Sequence, residues 1–127
     1  MNKRKVEALL PQALAALNDT HCRIVENNKI SKTYRGQISS FGAAITMGSF
    51  KAAVAFFSVK ADNGTGVDRS RLIAAMNFIV HGQWKDPSDI LKNILNLSGN
   101  QLNEEREAFI NAALALKLAM NAFELVS

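Results

Sequence analysis

A seven-residue repeat near the end of the chain constrains the fold more than any other feature of the sequence. The repeating positions are Leu102, Phe109, Leu116 and Phe123. Residues seven apart lie on the same face of an α-helix, so the repeat predicts a helix over residues 100–126 with one apolar face. Such a face packs within its own molecule or, alternatively, against another subunit.

Apolar side chains elsewhere also recur at steps of three and four, and alternation typical of strands is absent. Further helices are predicted over residues 3–17, 30–47, 50–60 and 68–80, and from Asp86 to a stop at residues 98–99. Pro11 lies inside the first of these and should kink it or mark its first turn. Residues 20–29 fit a short helix or a loop equally well. Residues 50–60 are apolar nearly all round, which indicates the central helix of the core.

These patterns together predict an all-α protein, a single-domain compact bundle of about five to seven helices over residues 1–127. A chain of 127 residues is long enough to bury a core without disulfides or metals. Apolar residues make up 48% of the sequence, which excludes an intrinsically disordered class.

The sequence predicts a cytoplasmic protein. Its basic start is followed by Glu7, Pro11 and Gln12, where a secretory signal would carry an unbroken apolar stretch. No run approaches the roughly 18 to 20 apolar residues that a membrane span needs. Cys22 is the sole cysteine, so an intrachain disulfide is impossible, as suits a reducing compartment.

The formal net charge of +4 is unevenly distributed along the chain. Residues 1–36 carry seven basic and three acidic side chains, residues 37–85 five and two, and residues 86–127 three and six. A basic front and an acidic tail predict two surfaces with different partners, although scattered solvated charge would give the same totals.

Groups suited to catalysis are sparse, and we predict a non-enzyme without cofactor or metal. His21 adjoins Cys22, but neighbours on a helix point about 100° apart and do not form a dyad. His81 precedes Gly82 at a predicted helix end, where a partly positive imidazole suits the helix dipole. Residues 63–66 precede a basic helix and resemble a phosphate loop, yet lack its lysine and preceding strand, so we interpret them as a plain loop.

Six basic residues are the candidate binding site, for a nucleic-acid backbone without sequence preference. They are Lys29, Lys32, Arg35, Lys51, Arg69 and Arg71. Lys32 and Arg35 are three residues apart, which places them on adjacent turns of one helix face. If the six converge they form a groove of point charges; a solvated face is the alternative interpretation.

One segment resembles a known family. It comprises Tyr34-Arg35-Gly36-Gln37-Ile38-Ser39-Ser40-Phe41-Gly42-Ala43-Ala44-Ile45, then Met47-Gly48-Ser49 and Ala52-Ala53-Val54-Ala55-Phe56-Phe57. This segment resembles the bacterial small subunit of the type III-B CRISPR effector, the Cmr complex. The resemblance is sharp over residues 30–60 and general elsewhere, and Lys51 departs from it because the family often has an apolar residue there.

The resemblance implies a non-catalytic subunit of an RNA-guided, RNA-targeting complex in antiviral defence. It implies partners of two kinds: other effector subunits with head-to-tail copies of the chain itself, and guide or target RNA held through backbone phosphates. Glutamates 104, 105 and 107 would then face the basic side of the next subunit or a backbone subunit.

Two other functions remain open from the residues. A helical scaffold or adaptor would bind protein alone through the last helix, and its basic residues would scatter over the surface. A small enzyme with an unrecognised site ranks last, and would need a deep pocket with a strongly perturbed ionisable group.

Overall fold

The chain folds as a bundle of α-helices with one small sheet. The computed structural model describes residues 2–60 and 67–127. In chain order the elements are α1 (Lys3–Asn18), β1 (Lys29–Ser31), α2 (Lys32–Met47), α3 (Phe50–Phe57), α4 (Ser70–His81), α5 (Pro87–Leu95), α6 (Gly99–Ala119), a 3₁₀ turn (Met120–Ala122) and β2 (Glu124–Val126). The predicted all-α class and helix number are confirmed for this part of the chain. The predicted loop at residues 62–66, including the phosphate-loop candidate at 63–66, lies outside the described residues.

Helix ends follow the residues that can satisfy free backbone groups. The side chains of Ser31, Ser49 and Asp86 accept hydrogen bonds from the N–H groups of the first turns of α2, α3 and α5. Pro87 follows Asp86 at the first position of α5, where its missing N–H costs nothing. Gly82 ends α4 in the left-handed conformation, with φ of 80°.

The core is centred on α4 and α6. Eight residues of α4 are buried, and α6 packs against α1, α2 and α4 through its apolar seam. Phe109 and Leu116 of that seam are fully buried, so the seven-residue repeat serves packing within the molecule. Assigning the central position to residues 50–60 is wrong. That helix ends at Phe57 and is buried on one face only, with Phe56 60% exposed.

A two-stranded parallel sheet was not predicted. β1 pairs with β2 so that Ile30 lies opposite Leu125 and Ser31 opposite Val126. The helix predicted from residue 30 therefore begins at Lys32, and the one predicted to residue 126 ends at Ala119. Three-residue strands are too short to show alternation in the sequence. Their backbone groups form hydrogen bonds with a strand far away in the chain, where a helix would have used partners four residues away.

The first helix runs past its proline. α1 begins at Lys3, so Pro11 lies beyond the first turn and is exposed. Pro11 has no N–H to donate to the carbonyl of Glu7, and α1 lacks one helical hydrogen bond there. Within residues 2–60 and 67–127, no helix combines the length and apolar character needed to cross a membrane.

Candidate nucleic-acid interface

The segment between α1 and β1 is a folded loop that forms one wall of the candidate site. The Asp19 carboxylate accepts hydrogen bonds from the backbone N–H groups of His21 and Cys22, at 2.7 and 3.3 Å. Glu26 and Lys29 then exchange both backbone hydrogen bonds, at 2.9 and 3.0 Å. A loop, one of the two predicted alternatives for residues 20–29, is therefore what forms.

The tip of this loop is a tight turn of two asparagines. Asn27 and Asn28 have φ values of 52° and 62°, the positive values that a type I′ turn requires at both central residues. Asparagine tolerates this conformation better than other residues with a side chain. The turn delivers Lys29 directly into β1, which pairs with β2 on its other edge.

A groove of about 460 Å³ lies between this loop, the start of α2, the start of α4 and the end of β2. Three of its lining residues are basic, namely Arg23, Lys29 and Arg71, and one, Glu26, is acidic. The structure thus brings together two of the predicted residues, Lys29 and Arg71. Sequence reasoning missed Arg23, which has φ of 57° and lies in the segment without a clear helical pattern.

Arg71 is held in a defined position at the wall of the groove. Its Nη1 atom donates to the backbone carbonyl of Arg23 at 3.0 Å and lies 3.4 Å from the Tyr34 hydroxyl. Tyr34 is 2% exposed, and its hydroxyl also accepts from the backbone N–H of Asp68 at 3.2 Å. The guanidinium is therefore held in place by two elements of the fold, with its positive charge at the wall of the groove.

Lys32 and Arg35, two more of the predicted residues, lie on the first turn of α2 and are not among the residues that line the groove. Ser31, Thr33 and Tyr34 line the groove from the same stretch of chain. Lys32 is exposed and Arg35 half-buried, one turn apart as the spacing predicts.

Lys51 and Arg69 are used elsewhere. The Lys51 Nζ atom donates to the backbone carbonyl of Leu95 at 3.1 Å, at the C-terminal end of α5, where a cation suits the helix dipole. The Arg69 guanidinium lies 4.2 Å from the centre of the Phe56 ring and donates to the Phe56 carbonyl at 3.2 Å. Both contacts tie α3 to its neighbours, so these two predicted residues have structural partners of their own.

An acidic cluster, formed by glutamates 104, 105 and 107, lies in the N-terminal half of α6. Because α6 begins at Gly99, glutamates 104, 105 and 107 lie beyond its first turn, where the dipole has little effect. The three carboxylates therefore contribute little to the stability of the helix start. Glu105 instead contacts His81 Nε2 at 2.9 Å, and Glu107 contacts Arg106 at 2.6 Å. At 1.5 Å per residue, Glu105 lies about 20 Å from the end of α6 that leads to β2 and the cationic groove.

Cys22 is a buried thiol beside the candidate site. Burial, with a smaller contribution from the negative charge of Asp19, raises the pKa of Cys22 from 9.0 to about 12. The thiolate is the reactive form of cysteine, so this side chain stays protonated and unreactive at neutral pH. Among the described residues, no three His, Cys, Asp or Glu side chains form a group that could hold a metal ion.

A second, apolar groove of about 370 Å³ runs between α2 and α6. Gly42 and Ala43 line it from α2, and Ile110 and Leu114 from α6. One turn further along α6, Leu118 is 50% exposed. Ile110 and Leu114 are partly exposed, so this face of α6 offers apolar surface to the outside.

Comparison of the chain with protein-family profiles, with curated proteins and with solved structures found no match in any of the three. The proposals below are supported by the chain's own residues and by the resemblance described above.

Proposed function

We propose that the chain is a non-catalytic RNA-binding subunit, of the kind found in type III-B CRISPR effectors, and that the cationic groove contacts the RNA backbone. One observation carries the proposal: Arg23, Lys29 and Arg71 line a single groove at one end of the molecule. Guanidinium and ammonium groups are the usual partners of phosphate oxygens, and they contact a nucleic acid without regard to its sequence.

The number of charges sets the expected strength of binding. Three lining cations would neutralise only a few phosphates, even if Lys32 and Arg35 on the first turn of α2 contributed as well. Each phosphate contact with a single strand contributes a slope of about −0.7 to the logarithm of affinity against the logarithm of salt concentration. One chain should therefore bind weakly, and several chains along one RNA should bind far more tightly through avidity.

The separation between the basic and acidic surfaces of the chain is compatible with head-to-tail assembly of several copies. The cationic groove lies beside β2, and the acidic residues of α6 lie about 20 Å away along the helix. Head-to-tail contacts need two different patches on one subunit, and the cationic groove and the glutamates of α6 are the two that we propose. We place this assembly, with its other effector subunits, in the cytoplasm.

The test is binding of a fluorescent single-stranded RNA of mixed sequence, measured by anisotropy across a salt series. The variant Lys29→Gln/Arg71→Gln removes two groove charges, and Lys3→Gln/Lys92→Gln is the matched control on exposed residues of α1 and α5. We expect the groove variant to bind more weakly, with a salt slope shallower by about 1.4, and the control to stay close to the unmodified protein.

Two outcomes would contradict the proposal. Equal losses in the groove variant and the control would mean that the chain's overall charge, rather than the groove, attracts RNA. Absence of binding even at low salt would remove the claim that this chain holds RNA by itself.

A protein scaffold is the second candidate function, favoured by the partly exposed stripe of Ile110, Leu114 and Leu118 on α6. A charge on this stripe should block a protein contact and leave the cationic groove intact. Leu118→Glu should therefore abolish any self-association seen by sedimentation while RNA anisotropy stays unchanged. Self-association that survives this substitution would remove the stripe from consideration.

A further inference from the structure

Two partly exposed aromatic rings pack against each other at a tilt, one in the loop after α1 and one in the turn after α4. The ring centroids of His21 and Trp84 lie 5.4 Å apart, with an angle of 33° between the ring planes. Trp84 is 38% exposed, and the His21 side chain is 67% exposed. Trp84 is also the sole tryptophan of the chain.

Local structure holds both rings in place. His21 lies in the loop that Asp19 closes, and its Nδ1 atom is 3.5 Å from the Asp19 carboxylate. Trp84 follows the left-handed Gly82, which turns the chain sharply at the end of α4. The two loops thus present a positioned pair of rings to solvent.

One ring of the pair lies two residues from a cation that lines the groove. Arg23 follows His21 by two residues, which span at most about 7 Å of chain. Arg23 lines the groove together with Lys29 and Arg71. On the other ring, Trp84 is followed by the exposed Lys85. Exposed aromatic rings flanked by basic side chains are the combination that binds single-stranded nucleic acids.

We propose that His21 and Trp84 form a base-stacking platform for single-stranded RNA whose backbone lies in the cationic groove. The inference rests on the proposed function, because it assumes that the groove contacts RNA. Stacking on an indole or imidazole uses the flat face that every base possesses, so the platform would tolerate any sequence. It would add a contact to the base where the groove supplies contacts to phosphate alone.

Because Trp84 is the sole tryptophan, intrinsic fluorescence reports directly on the platform. We would titrate the unmodified protein with an eight-nucleotide RNA and, separately, with inorganic polyphosphate of similar charge, which has no bases. We expect RNA to quench the tryptophan emission, and polyphosphate to compete for binding in an anisotropy measurement without comparable quenching.

Variants test the energetic contribution of the rings. Base stacking on one aromatic side chain is commonly worth a factor of about 5 to 150 in affinity, so Trp84→Ala should lose that much and Trp84→Phe should lose less. Leu118→Ala removes an exposed apolar side chain from α6 and should leave RNA affinity unchanged. Circular dichroism of each variant checks that the helices persist.

The outcomes separate the platform from the groove. RNA that binds by anisotropy without quenching Trp84, or polyphosphate that quenches as strongly as RNA, would overturn the platform while leaving the groove in place. Failure of the RNA to bind at all would overturn both proposals.

Discussion

The Tyr34 hydroxyl lies 3.4 Å from Arg71 Nη1 and links the first turn of α2 to that of α4. The same oxygen accepts the backbone N–H of Asp68 at 3.2 Å, just before α4 begins. Tyr34 belongs to the segment that carries the family resemblance, and Arg71 belongs to the cationic groove. A residue of the core therefore positions a residue of the site.

Removal of this hydroxyl should weaken both stability and RNA binding. Tyr34→Phe takes an acceptor from a buried N–H and from a guanidinium, at an expected cost of about 1–2 kcal/mol in the free energy of unfolding. Urea denaturation measures the cost, and RNA anisotropy measures the effect on the groove. Ser40→Ala is the control on the same helix, since that hydroxyl is exposed and bonds only its own helix carbonyl. A Tyr34→Phe protein as stable as the control would show that the hydroxyl contributes nothing.

Two glycine substitutions should change the stability of the protein in opposite directions. Gly82→Ala forces a Cβ into a left-handed residue with φ of 80° and should destabilise the protein by about 1 kcal/mol. Gly36→Ala places a Cβ in open space inside α2 and should stabilise it by up to about 1 kcal/mol. Thermal unfolding of both variants in one buffer makes the comparison. Changes of the same sign would contradict the assigned backbone conformations.

Pro11 in α1 should destabilise the protein, and replacing it with alanine should increase the free energy of unfolding. Pro11 is exposed and interrupts the hydrogen bonding of a continuous helix, which costs about 3 kcal/mol relative to alanine. Proline also restricts the unfolded chain, which returns up to about 1 kcal/mol. We therefore expect Pro11→Ala to raise the free energy of unfolding by about 2–3 kcal/mol in urea. A loss of stability would mean that α1 depends on the local geometry that proline imposes.

The buried thiol should make stability fall at high pH. The pKa of Cys22 is raised from 9.0 to about 12 in the folded state, so above pH 9 the unfolded chain releases this proton and the folded chain keeps it. The stabilising contribution is therefore complete below pH 9 and is lost as the pH rises toward 12.

The matched measurement compares the unmodified protein with Cys22→Ala in urea between pH 8 and pH 10.5. As the pH rises above 9, we expect the free energy of unfolding of the unmodified protein to fall relative to that of Cys22→Ala. Cys22 should also resist alkylation at pH 8 until urea unfolds the chain. A difference that stays constant with pH, or rapid alkylation of the folded protein, would contradict the burial of this thiol.

Helical periodicity and end signals were sufficient to predict most of the fold. α3 and α5 begin close to their predicted starts, directly after the capping residues Ser49 and Asp86, because capping depends on residues adjacent in sequence. The β1–β2 pair could not be predicted in this way. Ile30 and Leu125 meet because the intervening helices bring them together, and three-residue strands leave no local pattern.

The candidate site was only partly predictable for the same reason. Lys29 and Arg71 were identified by their charge, but local sequence patterns do not show which cations share a groove. Lys51 and Arg69 carry the same charge and make structural contacts to Leu95 and Phe56 instead. Arg23 was missed because its position depends on a loop closed by the Asp19 side chain rather than on a helical repeat.

The pairing of Lys29 with Glu124 also determines the order in which parts of the protein can fold during synthesis. A ribosome must deliver residues 124–126 before β1 can gain its parallel partner, although α1 and α2 have long since emerged. Val126 forms part of the groove wall, so a nascent chain lacks a complete groove until its final strand arrives. Closing so distant a contact is also an entropically costly step of refolding. Incomplete translation products would thus carry the basic residues without the surface that arranges them.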